Sequence, residues 1–139
     1  MNRFHVRHIA PLLALLALGG CNRSGLVNAT GRLTYKGQPV PSTYVVFQPE
    51  DATKRPSHGL TDDDGRFTLT NSKTLTGVYL GPTTVSLRYY VSVDEETGKS
   101  PPKASKEMKS VIAKYAESKT SKLHFEVKKD GDFFDIVLE

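Results

Sequence analysis

The sequence predicts an all-β fold, a sandwich or barrel of six or seven short strands. Apolar residues alternate with polar ones over short runs, at 43–47, 67–69, 85–93, 123–127 and 134–138. Clusters of Gly, Pro, Asp and Asn separate those runs. β-Branched and aromatic residues fill them, as suits a half-buried pleated surface.

Taken in order, Val27 to Tyr35 is the first strand, and Lys36-Gly37-Gln38-Pro39 is a turn. Ser42 to Gln48 follows, with Thr43, Val45 and Phe47 on one face. Pro49 to Pro56 is a polar loop, and Gly59 to Thr61 a short strand. Asp62-Asp63-Asp64-Gly65 is a second turn, in which Gly65 is free to take positive φ. Arg66 to Thr70 places Phe67 and Leu69 together. Thr83 to Val93 is the longest strand, with Val85, Leu87, Tyr89, Val91 and Val93 on one side. Asp94 to Pro102 is loop. In 103–117, Met108, Val111, Ile112 and Tyr115 recur at helical spacing, which predicts a turn or two of helix or an irregular crossover. Leu123, Phe125 and Val127 form a strand, Lys128-Lys129-Asp130-Gly131 a hairpin turn, and Phe134, Ile136 and Leu138 the inward residues of the last strand.

The first twenty residues stand apart from this pattern. Arg3 and Arg7 give a basic head without an acid, and Ile9 to Leu18 is apolar apart from Pro11. Gly19 and Gly20 then precede Cys21. This is the form of a secretory signal peptide, too short for a membrane span of about 20 residues. The chain therefore divides into a leader at 1–20, a tether at 21–26 and one domain at 27–139.

Leu18-Gly19-Gly20-Cys21 resembles the bacterial lipobox. The resemblance implies cleavage between Gly20 and Cys21, diacylglycerol on the Cys21 sulfur and acylation of the new amine. Cys21 is the only cysteine, so no internal disulfide is available to it. Two or three acyl chains hold a protein firmly on a bilayer. Asn22, where some lipoproteins carry Asp, is similar to those sorted to an outer membrane. The expected location is thus a bacterial envelope, on the outer membrane facing periplasm or cell surface.

Charge narrows the partners. The chain has 19 basic and 15 acidic residues; without Arg3 and Arg7 the balance is 17 to 15, a net +2. Lysines at 103, 106, 109, 114, 119 and 122 form a loose basic stretch, but Glu107 and Glu117 interrupt it. That is a solvated surface, and nucleic acid is not an expected partner.

Four segments resemble the carboxypeptidase regulatory-like domains of small bacterial lipoproteins. Gly31-x-Leu33-x-Tyr35-x-Gly37-x-Pro39-Val40 with Val45-x-Phe47-x-Pro49 looks like their opening strand, turn and second strand. Thr61-Asp62-Asp63-Asp64-Gly65-Arg66-Phe67 matches a T-D-x-x-G-x-F hairpin. Gly77 to Val85 is similar to a Gly-x-Tyr-x-Val stretch leading into a strand. Ile112-Ala113-Lys114-Tyr115, Thr120-Ser121-x-Leu123 and Phe134-Asp135-Ile136-x-Leu138 resemble the ending. The chain departs at Thr83, where Tyr is usual, and at Ser42 and Thr43, where Gly and Ala are usual. The resemblance implies a seven-stranded Greek-key sandwich of transthyretin (prealbumin) type. Within it Thr61, Asp62, Gly65 and Phe67 form a structural turn without chemistry.

Catalytic and metal readings find little support in the residues. The aspartates at 62–64 are consecutive, whereas an EF-hand spaces its acids alternately and closes with Glu. His58 and His124 are the only histidines outside the leader, and neither belongs to a metal or nucleophile motif. The hydroxyisourate hydrolases of the transthyretin-like fold end in Tyr-Arg-Gly-Ser, which the ending Phe133 to Glu139 lacks. Lys36 and Asp135 are the pair that an isopeptide bond would use. Carbohydrate binding would use exposed rings among Tyr44, Tyr79, Tyr89 and Tyr90. The expectation is a non-enzymatic, lipid-anchored module without metal or cofactor. Its partners are the membrane, through Cys21, and an envelope protein or glycan. A carbohydrate- or peptide-binding surface lipoprotein is the alternative, with a transthyretin-like hydrolase behind it.

Overall fold

A computed structural model describes residues 25–91 and 104–139. The leader, the Gly20–Cys21 junction, Val93 and Lys103 lie outside the described residues.

The alternation along 43–49 becomes β4 (Thr43–Pro49), with Thr43, Val45, Phe47 and Pro49 buried. Before it come β1 (Leu26–Val27), β2 (Ala29–Tyr35) and β3 (Gln38–Pro39). Lys36 and Gly37 both take positive φ, 47° and 75°, and close the two-residue turn from β2 to β3. After β4 come β5 (Ser57–Leu60), β6 (Arg66–Thr68), β7 (Val78–Tyr79) and β8 (Gly81–Tyr89). Helix α1 (Lys106–Lys114), β9 (His124–Val127) and β10 (Asp132–Leu138) complete the chain. Seven of these strands have three or more residues.

The strands form two four-stranded sheets and not a closed barrel. One has the order β5-β4-β8-β9, antiparallel throughout. The other has β10 and β2 side by side in parallel, with β3 and β6 both pairing β2 antiparallel. A pair of bonds between the backbones of His58 and Thr70, each 2.9 Å, links the sheets at one edge. β1 and β7 make a separate two-stranded ribbon.

The core lies between the two sheets. Phe47 of β4 is fully buried, with ring centroids 5.0 Å from Phe134, 6.3 Å from Phe67 and 6.3 Å from Phe125. Leu33, Val45, Leu69, Val85, Leu87 and Ile136 fill the space around it. Thr43 is wholly buried, and its hydroxyl donates to Pro41 O at 3.0 Å. This satisfies a polar group that would otherwise cost free energy on burial.

The helix follows from its periodicity. Val111 and Ile112 are buried, and Met108 and Tyr115 pack against the core beside them. Ser105 caps it, with Oγ accepting from Met108 N at 3.1 Å, a bond worth about 1 kcal/mol. At the other end Tyr115 O accepts from Leu87 N at 2.9 Å. Ser121, buried at 4 %, donates its hydroxyl to Val85 O, and Leu123 O accepts from Val85 N. The helix and its exit thereby cover the part of the β8 edge that the four-residue β9 does not reach.

Two expectations need correction. Residues 128–131 are not a hairpin turn. β9 pairs with β8 in one sheet and β10 with β2 in the other, so this turn crosses between sheets. Asp132 holds it by accepting from Lys128 N at 2.7 Å and Lys129 N at 3.1 Å. The longest strand also ends earlier than its alternation suggests. β8 stops at Tyr89, and Val91 is 63 % exposed, because β4 offers no partner beyond Thr43.

Candidate functional site

The Asp62 turn is built as a rigid corner. Asp62 Oδ1 accepts from Asp64 N at 2.9 Å and Arg66 N at 2.8 Å, and Gly65 N donates to Asp62 O at 2.9 Å. Gly65 takes φ 72°, and its carbonyl accepts from Leu33 N at 2.8 Å, tying the turn to β2. Thr61 Oγ1 accepts from Thr43 N at 2.9 Å in a buried contact. Phe67 enters the core, with its ring over Gly31 where a Cβ would not fit. Every described partner of Thr61, Asp62, Gly65 and Phe67 belongs to the fold itself.

The outer face of β5-β4-β8 carries a different feature. β4 alternates, so burying Thr43, Val45 and Phe47 turns Tyr44 outward. The register sets Tyr44 between Leu60 of β5 and Arg88 of β8. Tyr90, just past β8, donates its backbone N–H to Ser42 O at 2.8 Å, which holds it beside β4. Its ring packs edge-on against Tyr44, with centroids 5.1 Å apart and planes at 72°. The His58 ring meets Tyr44 on the other side at 6.1 Å and 67°. Both arrangements suit the ring quadrupoles. Leu60 and Tyr90 are 43 % and 36 % exposed.

The other tyrosines are occupied structurally. Tyr89 is part-buried against the core, and its hydroxyl accepts from Ala104 N at 3.2 Å. Lys109 Nζ lies 4.8 Å from that ring centroid. Tyr79 pairs with Leu26 across β1 and β7, under Lys54 Nζ at 5.6 Å. Tyr44 and Tyr90 are therefore the two of the four that meet on an outer face.

Ionisable groups are spread apart. His58 meets Tyr44 edge-on, and His124 Nδ1 lies 3.1 Å from Thr84 Oγ1. Among the described residues no three His, Cys, Asp or Glu side chains gather as a metal site would require. Lys36 bonds Glu107 at 2.7 Å and not Asp135, which faces out from β10. Tyr35 donates to the same Glu107 oxygen at 2.8 Å. The hydrogen bond from Lys36 holds Glu107 below the usual carboxylate range and raises Lys36 in turn. These contacts fasten the start of α1 to the β2–β3 turn.

Beside the Asp62 turn a shallow cleft runs over the outer face of the second sheet. Leu60, Asp62, Arg66, Thr68 and Phe133 line it. Leu60 belongs to both this cleft and the tyrosine patch. Among the described residues β10 pairs with β2 alone, and its outward Phe133 and Val137 are 57 % and 56 % exposed.

No family model matches the chain, and no curated protein matches it in sequence. Among solved structures it is similar to a DUF3823 family protein from Parabacteroides merdae, at 13 % identity and TM-score 0.42, over 81 % of this chain and 45 % of that one. A DUF3823 family protein from Bacteroides ovatus matches at 14 % identity and TM-score 0.43, over 81 % and 44 %. A 9R-lipoxygenase from Cyanothece matches at 13 % identity and TM-score 0.37, over 97 % of this chain and 18 % of that one. The chain thus spans less than half the length of the DUF3823 proteins it matches.

Proposed function

We propose that the chain is a non-catalytic, lipid-anchored binding module of a bacterial envelope, and that it engages an envelope protein through the Tyr44–Tyr90 patch. The observation that carries the binding role is the edge-to-face tyrosine pair, flanked by His58 and Leu60 on a face the core does not use. Aromatic residues beside apolar and cationic ones are the usual composition of an interface centre. Arg88, opposite Tyr44 on β8, supplies the cation.

The finer reading of the fold, a Greek-key sandwich of the carboxypeptidase regulatory-like kind, rests on the four motif segments. Three find a physical reason in the packing: the tight Lys36–Gly37 turn, the Asp62 corner and the buried Ser121 hydroxyl. The anchor reading rests on the basic head, the apolar run and the single cysteine after Gly20. An outer-membrane location rests on Asn22 alone.

The glycan or peptide reading keeps one observation in its favour, since exposed tyrosine rings also stack on sugars. Crosslinking and pull-down of the anchored chain from its own organism's envelope tests the proposal, beside a Tyr44→Ala/Tyr90→Ala variant. The expected result is one stoichiometric protein lost in the variant. Recovery of glycan alone favours the alternative. A partner retained unchanged by the variant overturns the assignment of the patch.

A further inference from the structure

We infer that the end of the domain at which the described residues begin docks on the bilayer itself, with Leu75 and Leu80 entering its interfacial layer. This rests on the Cys21 anchor proposed above and adds an orientation to it.

Several segments gather at that end. Leu26 and Val27 pair with Tyr79 and Val78, so the first described residues lie against the 71–80 segment. Lys54 Nζ donates to Leu80 O at 3.4 Å, and Glu50 N donates to Pro82 O at 3.1 Å, which bring in the 50–56 loop. Gly131 N donates to Asn28 O at 2.8 Å, which brings in the 128–131 turn. Leu75 and Leu80 project from this end at 46 % and 45 % exposure. Neither belongs to the hydrophobic core.

Chain length fixes what these leucines face. Four peptide steps separate Cys21 from Gly25, a reach of at most about 14 Å. The headgroup layer of a bilayer is itself about 5–8 Å deep on each side. A lipidated Cys21 therefore keeps Gly25 within about 9 Å of the headgroup surface, so the end of the domain that carries Gly25 faces the membrane. Charge does not oppose that placement. Lys54, Arg55, Lys73, Lys128 and Lys129 lie at this end beside Glu50, Asp51, Asp130 and Asp132, five bases less four acids, a net +1. Exposed leucines with long basic side chains beside them suit the interfacial layer, where the apolar group enters and the charged head stays in water. The Asp62–Asp64 turn and the Tyr44–Tyr90 patch lie toward the other end, where an envelope partner could reach them.

The chain contains no tryptophan, so a single introduced one reports its own surroundings. Leu75→Trp, Leu80→Trp and, as a control, Val137→Trp near the far end of β10 would each be placed in the full lipidated chain. The chains are reconstituted on phosphatidylethanolamine–phosphatidylglycerol vesicles with brominated acyl chains. Flotation reports the anchor, and tryptophan quenching reports the docking. The expected result is flotation of all three, with quenching and shorter-wavelength emission at 75 and 80 and neither at 137. Flotation without quenching at 75 and 80, or with equal quenching at 137, overturns the docking alone. Failure to float overturns the anchor and the docking with it.

Discussion

Replacing Gly65 by Ala tests the Asp62 corner most sharply, and Gly37 supplies an internal control. Both glycines hold positive φ, 72° and 75°, so an added Cβ costs each about 1–2 kcal/mol in backbone preference. Their surroundings differ. A Cβ on Gly65 would sit 2.4 Å from Leu33 O in β2 and 3.2 Å from Val40 N just past β3, both backbone atoms. A Cβ on Gly37 meets nothing within 4 Å. Gly65→Ala must therefore push β2 away or distort the turn, adding about 1–3 kcal/mol of overpacking cost. It also strains the bond from Leu33 N to Gly65 O. Against a total stability of about 5–15 kcal/mol this is a large fraction. Urea denaturation followed by circular dichroism measures it. With a slope of about 1–3 kcal/mol per molar, the Gly65→Ala midpoint should fall by on the order of 1 M below that of Gly37→Ala. Equal midpoints for the two variants would refute the steric reasoning and leave the corner as an ordinary turn.

Other expectations follow from the same contacts. Phe47→Ala removes the ring on which Phe67, Phe125 and Phe134 converge, and should cost about 3–5 kcal/mol in the same assay; a loss under 1 kcal/mol would mean that the core is elsewhere. Asp132 is held below the usual carboxylate range chiefly by the backbone N–H of Lys128. Its contribution to stability is complete above its unfolded value, near 3.8, and is lost as pH falls through the lower folded value. Asp132→Asn should therefore weaken the pH dependence of stability below pH about 4, while an unchanged acid limb would contradict the capping role. Ser105→Ala should cost about 1 kcal/mol and loosen α1 in hydrogen exchange, with the two sheets unaffected.

Much of the fold was legible because alternation is a local signal. The stripes at 43–47, 67–69, 123–127 and 134–138 are inward-facing as read, because burying every second residue leaves a strand no other choice. The helical spacing of Met108, Val111, Ile112 and Tyr115 survives for the same reason. What local pattern cannot carry is pairing. Lys128 to Gly131 has the composition of a hairpin turn, yet Phe125 belongs to one sheet and Phe134 to the other. The two-residue strands β1 and β7 are too short to show any period.

The candidate site divides along the same line. Tyr44 and Tyr90 stood among the possible platform residues, and the outward direction of Tyr44 follows from the inward Thr43 and Val45. That they touch each other, with His58 alongside, depends on the β4–β8 and β4–β5 registers, which only the folded chain supplies. His58 was missed as a neighbour of Tyr44. The available signal was the two outward-facing runs on either side of a single connecting loop.

The proposed lipid on Cys21 decides where this sandwich works. Intact mass spectrometry of the chain extracted from membranes of its own organism tests it directly, beside a Cys21→Ser variant. The expected result is an N-terminus at Cys21, a mass above that of unmodified residues 21–139 by two or three acyl chains and a glyceryl group, and loss of both in the variant. An unmodified Cys21, or a Cys21→Ser chain still cut after Gly20 and still held in the membrane fraction, would contradict it.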